Sequence, residues 1–277
     1  MCELSAQSIR GVLTEGHPQP PPHRILPAGG LAEYALAVPV FRIPEAHVFP
    51  HPSLAEPDGL LGVGGDLDPP RLLTAYMNGI FPWYNEGQPI LWFSPDPRFV
   101  LYARELQVQR SLKKTIRKGL YEIRLDTDFE GVIRACKAAK RPRQRGTWIT
   151  RDMLRAYIQL HHLGFAHSAE AWRDGKLVGG LYGVAVGRLF AGESMFALEP
   201  DASKVAFVWL VRQLQAWGFP LIDSQAPTAH LERFGARSIP RDEYLTEVRA
   251  LVRQAGRPGL WRFDEGFQPP EMVPGDG

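Results

Sequence analysis

The chain has 277 residues, is 44% hydrophobic and 22% charged, and carries a net charge of +2, which is ordinary for a globular protein of one or two domains with a sizeable core. No apolar run reaches the roughly 20 residues of a membrane helix, and the start, MCELSAQSIRGVL, lacks the apolar core of a secretory signal, so no membrane partner and a cytoplasmic location are expected. Its two cysteines, Cys2 and Cys136, have no metal-type spacing, so no metal site or disulfide framework is expected.

In chain order, residues 1–45 are weakly patterned. GHPQPPPHR has the proline content of a poorly ordered, PPII-like extension, with a strand expected near YALAVPVFRI. A small N-terminal domain is expected over 46–97. Within it, Asp68 is placed as an N-cap, Pro69 in the first helical turn and Gly79 just past the end. The helix between them is expected to bury Leu72, Leu73, Tyr76 and Met77. LGVGGDL is glycine-rich but is neither a P-loop nor a dinucleotide fingerprint, so it reads as turn geometry.

ILWFSPDPRFVLYARELQV is strand-like and broken by two prolines, which marks a domain edge near 94–98. QRSLKKTIRKG predicts a short basic helix ended by Gly119, and YEIRLD a strand. Thr127-x-x-Glu130 predicts a capping box opening a helix that buries Phe129, Val132, Ile133 and Cys136. KRPRQRG is a basic loop, and Thr150 caps the next helix, which runs to Gly164. The stretch SAEAWRDGKLVGGLYGVAVGRLFAGESMF predicts a three-stranded meander with turns at Asp174-Gly175 and near Gly187. A helix over about Ala202–Trp217 follows, then LIDSQ as a strand and one or two closing helices. This order is that of an acetyltransferase-like α+β domain over 98–256, leaving a C-terminal tail at 257–277.

The near-neutral total conceals an asymmetry. Residues 104–151 hold 14 Lys/Arg and 5 Asp/Glu, a local +9, and the remainder is −7. A basic segment of this size points to an anionic partner such as nucleic acid, although a solvated face is the plainer reading of any single helix.

Three constellations offer chemistry. Asp223 and Gln225 are two apart on a strand, so both face one side. Glutamine can accept from one group while donating to the carboxylate, and the pair could position an amine; the spacing alone fits a structural buried pair slightly better. Glu193, at the end of a strand expected beside LIDSQ, could hold a cation or serve as a base with a raised pKa. Trp83 in FPWY and Trp148 in GTWIT lie in loops, where exposed rings stack on nucleobases or, buried, simply pack. His161, His162 and His167 lack a zinc-protease spacing and read as helix-end residues.

Seven segments then agree in order. EPDGLLGVGGDLDPPRLLTAYMNGIFPW, PILWFSPDPRFVL, RGTWIT, LVGGLYGVAVGRLFAGESMF, DASK, LIDSQ and FGARSIPR, spread over about 49–245, resemble the leucyl/phenylalanyl-tRNA–protein transferases of bacteria. The resemblance implies a small N-terminal domain followed by a GNAT-type domain, with no cofactor. It implies transfer of Leu or Phe, with Met as a further donor, from leucyl-tRNA or phenylalanyl-tRNA to the N-terminal Arg or Lys of acceptor proteins. A protein so modified is marked for degradation, and the enzyme is expected to act as a monomer.

The same resemblance implies roles. Asp223 and Gln225 form the catalytic pair, with Glu193 binding the acceptor or the aminoacyl amine. Leu181, Phe190, Phe207, Leu210, Leu214 and Ile222 line the aminoacyl pocket. Trp83 and Trp148 flank the 3′-terminal adenosine, while Arg110, Lys114, Arg117 and Lys118 hold tRNA phosphates. The family usually has cysteine where this chain has Ser224. Two competing readings are a CoA-dependent N-acetyltransferase, whose pyrophosphate loop has no counterpart before Ala202, and a non-catalytic RNA-binding protein, which would not need Glu193, Asp223 and Gln225.

Overall fold

A computed structural model describes residues 40–139 and 148–272. Most of the N-terminal extension and the KRPRQRG loop therefore lie outside the described residues, and the strand expected near 34–43 is described only as β1 (Phe41–Arg42). The first sheet is built from β1, β2 (Leu60–Val63), β3 (Phe81–Pro82) and β4 (Leu91–Phe93), in the order β1-β2-β4-β3.

Helix α1 (Pro69–Met77) lies between β2 and β3 in sequence. Asp68 stands at its N-cap but makes no side-chain capping bond, and Gly79 takes φ +69 just past the end. The helix buries Arg71, Leu72, Ala75 and Tyr76, while Leu73 is half-buried and Met77 exposed, so the expected core face is rotated. Arg71 explains part of this shift. Its guanidinium is held by both oxygens of Asp66 and by the carbonyls of Glu45 and Ala46, which makes burying a charge tolerable.

The second sheet begins immediately after the cis Asp96–Pro97 bond. It comprises β5 (Arg98–Tyr102), β6 (Glu122–Leu125), β7 (Ala166–Arg173), β8 (Lys176–Val186), β9 (Leu189–Ala197), β10 (Leu221–Gln225) and β11 (Arg237–Ile239), in the order β11-β5-β10-β9-β8-β7-β6. Strands β7, β8 and β9 form the expected meander. Its first turn places Asp174 and Gly175 at φ 50 and 71, as a type I′ hairpin requires. Strand β10 pairs parallel to β9 and antiparallel to β5.

Helices cover both faces. On one side α2 (Arg110–Arg117) and α5 (Ala202–Ala216) pack over Leu101, Leu181, Phe190 and Ile222. On the other, α3 (Phe129–Ala138) and α4 (Arg151–His162) join the first sheet around Tyr182, Val184 and Phe196, and α7 (Arg241–Leu251) covers Val100, Leu189 and Leu221. A short helix, α6 (Ala229–Glu232), follows β10.

The cap of α3 differs from the expected box. Asp128, not Thr127, accepts from the Gly131 N–H, and Thr127 instead gives its N–H and hydroxyl to Glu170. Glu170 is fully buried and also accepts from the Asp128 N–H, Ser168 and Trp172. It thus takes the role foreseen for Glu130, whose side chain pairs with Arg134 at the surface.

The segment after α7 docks on the body rather than trailing. Trp261 stacks on His167 with ring centroids 3.6 Å apart, and its backbone N–H donates to Asp126 at 2.7 Å. Just before it, Gly259 donates to the Gly164 carbonyl at the end of α4. A Cβ at Gly164, where φ is +79, would run into the Gly259 nitrogen. Gly164→Ala is therefore expected to lower stability by about 1–3 kcal/mol, read in a thermal melt.

Candidate active site

Two irregularities shape the site. In β9, Ser194 pairs with Tyr182 and Gly192 with Gly183, so Glu193 is an extra residue in a bulge. In β10, Asp223 pairs with Val100 and Gln225 with Phe99, so Ser224 is the extra residue. Gln225 adopts φ 64, a left-handed conformation. Bulges re-aim side chains and end regular pairing. The parallel contact of β9 and β10 accordingly stops at Asp223 and Ala191. Beyond that point Gln225 Nε2 reaches across to Glu193 Oε1 at 2.9 Å.

Glu193 lies 1% exposed in a ring of hydroxyls. Tyr76, from α1, donates to its Oε1 at 2.7 Å, and Tyr157, from α4, to its Oε2 at 3.3 Å. The two tyrosine oxygens are 2.5 Å apart. Burial pushes the Glu193 carboxyl up to about 6, against the hydrogen bonds of Tyr76 and Gln225, which lower it. Burial, then the neighbouring Glu193 charge, raises the Tyr76 hydroxyl well above its usual value, so Tyr76 stays a donor. A carboxyl that exchanges its proton near neutrality, framed by fixed donors, is equipped for proton transfer or for receiving an ammonium.

Asp223 is engaged elsewhere. Arg98 Nε donates to its Oδ1 at 2.8 Å and Nη2 to its Oδ2 at 2.7 Å, and the Tyr244 hydroxyl donates to Oδ2 at 2.6 Å. Both members of the ion pair are 1% exposed. The expected bond between the Gln225 side-chain amide and the Asp223 carboxylate is replaced by one from the Gln225 backbone N–H, at 2.9 Å to Oδ1. The bulge at Ser224 accounts for this, because it turns the Gln225 side chain toward β9. The Ser224 hydroxyl is buried and finds no partner among the described residues.

The six residues expected to line the aminoacyl pocket are gathered in one place. Leu181, Phe190, Phe207, Leu210, Leu214 and Ile222 share the closed core beneath α5, each no more than 1% exposed. That core lies on the sheet face opposite Tyr76 and Tyr157.

Trp83 and Trp148 are not the exposed loop rings expected from their neighbours. Both are buried in the core shared with Tyr76 and Tyr157. Trp83 packs edge-on against Phe93 at 5.3 Å, and a 3.1 Å bond from Tyr84 to Thr150 ties their two segments together. The Trp148 ring nitrogen has no partner among the described residues.

Arg110, Lys114, Arg117 and Lys118 are all exposed along or just after α2, which buries Leu112 and Ile116 on its other side. The described residues include one group spaced to hold a cation, His47, Asp66 and Asp68, but Asp66 already binds Arg71 through both oxygens. No described helix is long and apolar enough to cross a membrane.

Four partners escaped the sequence reading. Tyr76 was visible only as a helix-core residue, and Tyr157 and Tyr244 carried no signal of their own. Arg98 carried one: a cation opening an apolar strand needs a buried acid, and Asp223 is the acid placed on another apolar strand.

The family model for leucyl/phenylalanyl-tRNA protein transferase matches residues 100–249, and the model for that family's N-terminal domain matches 65–96. The chain belongs to this family. A leucyl/phenylalanyl-tRNA–protein transferase of Nitrosospira multiformis is 59% identical over 214 residues, spanning 77% of this chain and 92% of the relative. One of Myxococcus xanthus is 54% identical over 226 residues, spanning 81% and 97%. Among solved structures, L-PGS from Bacillus licheniformis matches at a TM-score of 0.35 and 11% identity, over 55% of this chain and 48% of that one, too slight a likeness to build on.

Proposed function

We propose that this chain is an aminoacyltransferase that moves a leucyl or phenylalanyl group from its tRNA to the N-terminal amine of a protein. Membership of the transferase family is the observation that carries the reading. The finer assignments are leucyl- and phenylalanyl-tRNA as donors, methionyl as a further donor, N-terminal Arg or Lys on the acceptor, and action as a monomer. The seven-stranded sheet with its helices is assigned as the GNAT-type catalytic unit, and the first sheet as the smaller N-terminal domain.

The reaction needs little beyond placement. The acceptor amine attacks the ester carbonyl, the C–N bond forms, and the bond to the ribose oxygen breaks. One proton leaves the amine, and one reaches the departing 3′ oxygen. An aminoacyl ester is already activated, so the protein's task is orientation and proton handling. Glu193 is assigned to receive the amine, with Gln225 fixing its approach. This is supported by the 2.9 Å contact between them and by the carboxyl's raised affinity for a proton.

The parting of β9 and β10 supports the donor assignment. The pairing ends one residue beyond Phe190 and Ile222, and these two front the apolar cluster of Phe207, Leu210 and Leu214 that is assigned to the donor side chain. Trp83 and Trp148 are assigned to border the adenosine from the core between the two sheets. The four basic residues of the α2 region are assigned to tRNA phosphates, which makes binding salt-dependent.

The deciding assay supplies purified protein with labelled leucyl-tRNA and a peptide beginning with Arg, without ATP. The expected product is the peptide extended by one leucine. Acetylation of the peptide from acetyl-CoA, with no transfer from tRNA, would overturn the reading.

A further inference from the structure

The Asp223 carboxylate has no capacity left for a substrate. Its two oxygens together offer about four acceptor positions. Arg98 takes two of them, Tyr244 one and the Gln225 N–H one. Whatever Asp223 contributes to the chemistry must therefore pass through a neighbour, and the neighbour that faces Glu193 is Gln225.

Gln225 needs such support. At φ 64 it holds a conformation that side-chain-bearing residues seldom adopt and that persists where the surroundings enforce it. Asp223 enforces it here by accepting the N–H two residues on, as a carboxylate does in an Asx turn. Asp223 is itself fixed by a rigid planar fork. The Arg98 guanidinium lies over the Phe81 ring at 4.9 Å and the Tyr244 ring at 4.6 Å. Phe81 belongs to the first sheet, Arg98 to β5 and Tyr244 to α7. Two elements thus meet on one carboxylate, and the first sheet backs the guanidinium that grips it.

We infer that Arg98 and Tyr244 are positioning residues for the transfer: they clamp Asp223, which sets the backbone of Gln225 and so aims its amide at Glu193. The inference rests on the proposed reaction for its catalytic consequence, but the clamp itself can be read without it. Lysine at position 98 keeps the charge and loses the two-pronged fit, and phenylalanine at 244 keeps the ring and loses only the hydroxyl.

The test compares the full-length chain with Tyr244→Phe and Arg98→Lys in two measurements. Backbone amide exchange is followed over residues 221–228. Single-turnover leucyl transfer at saturating leucyl-tRNA is measured alongside filter retention of the tRNA. In both variants exchange at Gln225 is expected to speed up at least about tenfold. Transfer is expected to fall about tenfold in Tyr244→Phe and about 100-fold in Arg98→Lys, with tRNA retention within about twofold of wild type, so the loss is in rate and not in binding.

Wild-type exchange and wild-type transfer in Tyr244→Phe, the variant least able to disturb folding, would overturn the inference. So would faster exchange spread evenly through the sheet together with lost tRNA retention, since that describes a general packing role. Faster exchange confined to β10, in a protein whose wild type transfers no aminoacyl group, would uphold the clamp and reject the reaction instead.

Discussion

Asp223→Ala is expected to reduce leucyl transfer by about 100-fold or more while leaving leucyl-tRNA retention on a filter largely intact. The same change is expected to destabilise the fold by about 3–5 kcal/mol, because it strands the Arg98 guanidinium without its counter-charge at a site 1% exposed. A guanidinium keeps its proton in proteins even when buried, so the charge persists when its partner is removed. The two effects are separable. A protein carrying both Arg98→Met and Asp223→Leu buries no charge, and its midpoint in urea should lie above that of Asp223→Ala. It should remain inactive, because nothing then holds the Gln225 N–H. Equal loss of transfer and of tRNA retention in folded Asp223→Ala would instead make Asp223 a purely structural residue.

Glu193→Gln should change both the rate and its dependence on pH. With a carboxyl titrating at about 6, wild-type transfer should climb as pH rises through that value and level off above it. The glutamine variant should lose about 100-fold in rate at pH 7 and show no step near 6. Stability runs the other way. The folded protein holds the Glu193 proton more tightly than the unfolded chain, whose value is near 4.5. The associated stabilisation is therefore complete below about 4.5 and is lost as pH rises through about 6. It amounts to about 2 kcal/mol. At pH 8 Glu193→Gln should accordingly match or exceed the wild type in a thermal melt. A wild-type pH profile in the variant would remove Glu193 from the proton path.

Much of this fold could be read from pattern. The meander, the Asp174-Gly175 turn, α5 and the return to LIDSQ follow from period, turn residues and length, because each is decided by neighbours within a few residues. The cap of α3 lies one residue beyond the position its local pattern implies, because the acid that captures Thr127 is Glu170, which sits far along the chain on β7. The site divides in the same way. Glu193, Asp223 and Gln225 stood out as acids and an amide among apolar neighbours. Their partners did not, since Tyr76, Tyr157 and Tyr244 are ordinary helix-core residues until folding sets their hydroxyls against a carboxylate. Two bulges were also invisible, and they decide where Gln225 points. An i, i+2 rule assumes a regular strand, and Ser224 and Glu193 each break one.

The pairing of β9 with β10 has a mechanical consequence. It joins the three strands β11-β5-β10 to the four strands β9-β8-β7-β6 through Leu221 opposite Leu189, Ile222 opposite Phe190 and Asp223 opposite Ala191, and no further. The seven-stranded sheet is thus two leaves of a book bound along a short spine. Glu193 is carried on one leaf, and Asp223 with Gln225 on the other. The 2.9 Å contact from Gln225 to Glu193 is made across this division, so its length depends on how those three residue pairs set the two leaves.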